Sequence, residues 1–131
     1  MDTWRPGDPP PVDDDGTRLL FKEQFAALAG LQETTIRWAL AASKTARRRR
    51  QPMDFPQPRR YIRRVTPKAD GQPLTARTPL WRLDAALGYA LRPAARKATR
   101  EAAQAFTALA PEAQQAYLDE TLLQPARAEA G

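Results

Sequence analysis

Apolar residues recur at helical spacing from residue 21 onward: Phe21, Phe25 and Leu28 share a face, with Lys22, Glu23 and Gln24 between them. Gly30 interrupts the run, as a left-handed residue at a helix end does. Leu31 follows, and Gln32-Glu33-Thr34-Thr35 opens a second helix in which Ile36, Ala39 and Leu40 face inward. Ala and Arg are good helix formers, so this helix is expected to run to about Arg50 before Pro52 ends it. With Ile36 and Leu40 inside, Thr34, Arg37, Trp38, Ala41 and Lys44 lie on or beside the outward face. As a large aromatic, Trp38 is nevertheless read as a packing residue, and so is Trp81.

The period then changes. Phe55-Pro56 reads as an apolar anchor in an extended linker, and Tyr61, Ile62 and Val65 give a strand signal over 59–66. A turn at 68–73 and a second strand over 74–83 complete a hairpin with a long tip. Asp84 is expected to cap a short helix carrying Ala86, Leu87 and Leu91, which Pro93 ends. Residues 94–110 are helical and Ala-rich, and Pro111 and Glu112 open a last helix. These two helices would form a helical hairpin. Its apolar residues Phe106, Leu109, Tyr117, Leu118, Leu122 and Leu123 must cover the rest of the chain or a second copy. A homodimer, or DNA-dependent self-association, through 94–123 is the second option. Residues 1–16 carry four prolines and no hydrophobic period, so a disordered acidic arm is expected there.

Helix, glycine turn, helix, basic hairpin and short helix is the order of a winged helix-turn-helix. The expected fold is mainly α with a small β-hairpin wing. An arm (1–16), a DNA-binding domain (17–92) and a C-terminal helical extension (93–131) divide the chain.

Charge sharpens this picture. Residues 1–16 hold five Asp and one Arg (net −4); residues 17–100 hold 19 Lys or Arg and five acids (net +14); residues 101–131 hold one Arg and five acids (net −4). A basic centre between acidic ends is a localised field suited to nucleic acid or an anionic surface. The run Arg47–Arg50 can also be a solvated helix face, but its surroundings are basic too, which favours nucleic acid. There is no Cys and no His, so disulfides, thiolate or imidazole metal sites and Cys/His or Ser/His nucleophiles are excluded. No carboxylate pair has a catalytic spacing and no P-loop or dinucleotide fingerprint is present, so neither catalysis nor a cofactor is expected. No apolar run is long enough to span a bilayer and the first residues resemble no targeting signal, so a cytoplasmic, nucleoid-associated protein is expected.

The stretch "FKEQFAALAGLQETTIRW" resembles the MerR-type and excisionase-like winged helix-turn-helix domains, through Ala26, Leu28, Gly30, Leu31, Thr35, Ile36, Arg37 and Trp38. "FPQPRR" is similar to the Pro-containing linker before their wing, and "PLWRLDAALGYAL" to the second wing strand and following helix. The resemblance covers roughly residues 18–91. Between Trp38 and Phe55 the chain is longer than in that family and carries the arginine run. The resemblance implies a transcriptional regulator or an excisionase-like architectural factor on double-stranded DNA.

On this reading Gln32, Thr34, Thr35 and Arg37 read bases, with Arg37 the candidate for bidentate contact to guanine. Lys44, Arg47, Arg48, Arg49 and Arg50 from the helix would neutralise phosphates, as would Arg59, Arg60, Arg63, Arg64, Lys68 and Arg77 from the wing. Two rivals remain: a basic adaptor for RNA or ribonucleoprotein, marked by exposed aromatics near the basic patch, and a protein-interaction module working through the C-terminal helices.

Overall fold

The structure is a computed structural model that describes residues 2–51, 53–67 and 71–123. In chain order the elements are β1 (Thr3–Trp4), β2 (Leu19–Leu20), α1 (Lys22–Ala29), α2 (Glu33–Arg48), β3 (Arg60–Thr66), β4 (Leu74–Arg82), α3 (Leu83–Ala90), α4 (Lys97–Thr107) and α5 (Pro111–Leu123). The fold is α+β. Four strands form one mixed sheet in the order β1-β3-β4-β2, parallel between β1 and β3 and antiparallel elsewhere. The expected hairpin is therefore the centre of a sheet. Two short strands from the N-terminal third extend it on either side.

Helix α1 starts where Phe21 N–H donates to Gln24 Oε1 at 2.9 Å, the reach-back from the third helical residue that satisfies an otherwise orphaned donor. Gln24 is buried, and its Nε2 donates to Leu118 O at 3.0 Å, tying α1 to α5. Gly30 ends α1 with φ 64°. Gly30 N–H donates to Ala27 O and Leu31 N–H to Ala26 O, so the freed carbonyls are met in a Schellman pattern. The close turn sets α2 against α1, with Ile36 at 1% exposure in the shared core.

That core centres on aromatic rings. Phe25 lies 5.7 Å from Phe55 and 5.4 Å from Trp81, and Phe55 lies 5.1 Å from Tyr89. Trp81 Nε1–H donates to Pro56 O at 2.9 Å, so the expected anchor at Phe55-Pro56 is fastened at both residues. Ala103, Phe106 and Leu118 belong to the same cluster. Residues 93–123 thus share a core with the preceding domain: α4 and α5 turn near Pro111 as expected, and both lie on α1. Of the apolar residues that suggested a second copy, Phe106 and Leu118 are buried within the chain and Leu122 is half-buried, while Leu109 and Tyr117 remain partly exposed.

Two expectations need correction. Asp84 is not the N-cap of α3. Arg82 occupies that position, and Asp84 sits inside the first turn, accepting from Arg82 Nη2 at 2.8 Å. The acidic arm is not disordered among the described residues. Thr3 and Trp4 pair with Arg63 and Arg64, Trp4 packs edge-on to Phe21 at 5.0 Å, and the Asp13 side chain is 1% exposed. The reason is long-range charge pairing, which composition does not display: three consecutive aspartates meet arginines from both strands of the hairpin.

Candidate nucleic-acid interface

Arginine pairing sorts the basic centre into two groups. Asp13 accepts from Arg59 Nε at 2.8 Å and Arg82 Nη1 at 2.7 Å, and Arg60 reaches Asp13 at 3.5 Å and Asp14 at 3.2 Å. The hydrogen bond from Arg59 holds the Asp13 carboxyl down at about 2, with the Asp14 backbone N–H and Arg82 adding to it. Arg82 also holds Asp15 and Asp84 below the usual carboxylate range. Arg64 pairs with Glu23 at 2.7 Å and lies over the Phe21 ring at 4.2 Å, with 17% of its side chain exposed. Arg59, Arg60 and Arg64 therefore each have a carboxylate partner within the protein, which sets them apart from the other wing cations expected to meet phosphates.

The second group has no ion pair among the described residues: Arg37, Lys44, Arg47, Arg48, Arg49, Arg50, Arg63 and Arg77. All eight are exposed. On α2, Arg37, Ala41, Lys44 and Arg48 follow i, i+4, i+7 and i+11 and so line one side. Arg47 and Arg48 in the last turn also complement the helix dipole, which gives part of the run a structural role. Lys68 lies outside the described residues.

Beyond α2 the chain makes a second Schellman turn, with Arg50 N–H donating to Arg47 O and Gln51 N–H to Ala46 O. Its left-handed position is filled by Arg50 at φ 55°, the one non-glycine residue with positive φ among those described. An L-residue there costs about 1–2 kcal/mol. Gly30 solves the same geometry without that cost. After the turn, Gln57 Nε2 donates to Ser43 Oγ at 3.0 Å and Ser43 to Leu40 O at 2.7 Å, holding the linker on α2.

Strand alternation separates the sheet faces. Ile62 and Arg64 point toward Leu19, Phe21 and Trp4. Tyr61 and Arg63 point the other way, toward α2: Lys44 Nζ is 5.4 Å from the Tyr61 ring centre, and Arg77 Cζ is 3.9 Å from it. The unpaired cations of α2 and of the hairpin thus meet at one ring.

Of the expected base readers, Gln32, Thr34 and Arg37 are exposed around the start and outer side of α2. Thr35 is exposed but sits apart, in a cleft with Tyr89, Arg96 and Thr99. Trp38, read as a packing residue, is 78% exposed beside Arg37, Ala41 and Thr45, which corrects that expectation; Trp81 is buried as expected. The helical wheel already put Trp38 outward, and only the general burial of tryptophan argued otherwise. Tyr61 and Arg96 were missed. Tyr61 carried only a strand signal, and Arg96 follows the Pro93 break, where no pattern links it to α2.

On the other sheet face, a cavity of about 340 Å³ lies between the arm, β3 and α5. Its guanidinium groups, Arg18 and Arg64, are already paired with Asp119 and Glu23. No group of three or more Asp or Glu that could hold a metal ion occurs among the described residues. No helix among them is long and apolar enough to cross a membrane. No protein-family model, curated protein or solved structure matches the chain.

Proposed function

We propose that the chain is a sequence-specific double-stranded DNA-binding protein of winged helix-turn-helix design. In this reading α2 enters the major groove and the β3–β4 hairpin is the wing on the adjacent backbone. One observation carries it: eight exposed cations without an ion pair among the described residues occupy α2, its end and the hairpin, while the acidic arm and Glu23 neutralise arginines elsewhere on the sheet. Two dimensions support it as well. The 16 residues of α2 span about 24 Å, and a helix about 10–12 Å across fits a major groove of about 12 Å. Small Ala41 on the outer side permits close approach to the base edges.

Arg37, with Gln32 and Thr34, supplies base contacts. Lys44, Arg47, Arg48, Arg49, Arg50, Arg63 and Arg77 supply phosphate contacts, which set affinity and register. A transcriptional regulator and an excisionase-like architectural factor use such a domain alike. Selection from a randomised duplex pool, followed by anisotropy titration, tests the proposal. Arg37→Ala should cost the selected site about 1–3 kcal/mol relative to random DNA, whereas Arg77→Ala should weaken both equally. A pool that yields no preferred sequence sinks sequence-specific reading.

A second reading, a basic adaptor for RNA, is favoured by Trp38, whose exposed ring beside Arg37 could stack on an unpaired base. Competition between single-stranded RNA and duplex DNA separates the two. Tighter RNA binding that Trp38→Ala abolishes would replace the DNA reading.

A further inference from the structure

We infer that Tyr61 is the centre of a built phosphate site, formed with Lys44, Arg63 and Arg77, that fixes the angle between α2 and the hairpin on nucleic acid. The inference rests on the proposed DNA-binding function and deepens it. Arg63 and Arg77 are direct partners in the β3–β4 register. Side chains opposed in this way stand about 5 Å apart at Cβ, and like charges so placed repel. Lys44 brings a third positive charge from α2 to the same ring. Among the described residues no carboxylate pairs with any of the three.

The contrast within the hairpin is informative. Arg59, Arg60, Arg64 and Arg82 each have a carboxylate partner, so the chain neutralises hairpin arginines wherever the duplex is not expected to lie. The trio around Tyr61 is left open. The ring holds Lys44 and Arg77 through cation–π attraction, which orients a cation without cancelling its charge. The Tyr61 hydroxyl has no hydrogen-bond partner among the described residues and adds a donor. Two guanidinium groups, one ammonium and one hydroxyl suit the two non-bridging oxygens of a phosphodiester, since guanidinium forks match that geometry. Arg37 and Arg48 line the same side of α2 as Lys44, which puts this phosphate beside the groove that α2 would occupy.

Tyr61 is thus a positioning residue for the cations as well as a contact, and its variants separate those parts. The full chain is titrated with a random-sequence duplex between about 50 and 200 mM salt, and log K is plotted against log salt. Tyr61→Leu and Arg77→Gln should each weaken binding several-fold and reduce the slope by at least about 0.9. Tyr61→Phe should keep the slope and lose only a small factor in affinity. Arg59→Gln, at a paired arginine, should leave the slope unchanged. A folded Tyr61→Leu protein with the wild-type slope overturns the inference.

A second arm keeps this test separate from the DNA reading. Melting temperatures are compared in sodium sulfate and sodium chloride at equal ionic strength. Stabilisation specific to sulfate, abolished by Arg77→Gln, supports an oxyanion site even if the wild type binds no duplex. If the wild type binds no duplex and gains nothing specific from sulfate, the site falls together with the DNA reading. Duplex binding with an unchanged Tyr61→Leu slope removes the site alone.

Discussion

Replacing Arg50 by glycine should stabilise the protein and, on the proposed function, weaken its binding to DNA. Arg50 occupies the left-handed position of the turn after α2, at φ 55°, where glycine is unstrained. Relief of that strain is worth about 1–2 kcal/mol. Glycine's extra freedom in the unfolded chain costs about 0.5–1 kcal/mol of it. The net gain lies between about 0 and 1.5 kcal/mol, with its centre at about 0.75 kcal/mol. At about 2.1 cal/mol/K per residue over 131 residues, the central value raises the melting temperature by roughly 3 °C. Arg50→Ala removes the same charge but keeps the left-handed strain, so it should melt close to the wild type. Calorimetry measures the stability of both variants, and anisotropy over a salt series measures binding. Both should lose about 0.9 from the slope of log K against log salt if Arg50 meets a phosphate. Equal melting temperatures for the two variants would refute the strain argument. Unchanged slopes in both would take Arg50 off the DNA-facing surface.

Asp13 gives a pH signature. Its pKa is lowered from 3.8 to about 2, so its contribution to stability is complete above 3.8 and disappears as pH falls through about 2. Melting temperature should drop across that window, and Asp13→Asn should be less stable at neutral pH with a shallower acid drop; an unchanged pH profile would detach the arm from the sheet. Leu118→Ala, at a fully buried position that fastens α5 to α1, should cost about 2–5 kcal/mol by denaturant unfolding. A loss well under 1 kcal/mol would mean that α5 does not share the core.

Local chemistry made much of the fold legible. Gly30 marked the turn between α1 and α2, the period-2 run around Ile62 marked β3, and Pro111 marked the start of α5. The acidic arm could not be read in this way because its stabilising partners are distant: Asp13 meets Arg59 and Arg82 at separations of 46 and 69 residues. Those same pairs decide which arginines lack a carboxylate partner among the described residues, and the sequence alone does not separate the two groups. Alternation along β3 separates Arg63 from Arg64, but no sequence pattern shows that Glu23 meets one of them. Tyr61 needed the approach of Lys44 from α2 to its ring before the role proposed for it could be seen. Asp84 looked like a cap because a helix follows it; Arg82, two residues earlier, takes that position and binds the carboxylate from there.

Titration of an isotope-labelled full-length protein with a short duplex, followed by backbone and arginine side-chain NMR, tests the central claim most directly. The account predicts that the largest shifts fall on Arg37, Ala41, Lys44, Arg48, Tyr61 and Arg77. Asp13, Arg59 and Arg64, paired within the protein, should change little. Shifts centred on the arm, on α5 or on the cavity between them would contradict the claim, and so would a spectrum that the duplex leaves unchanged.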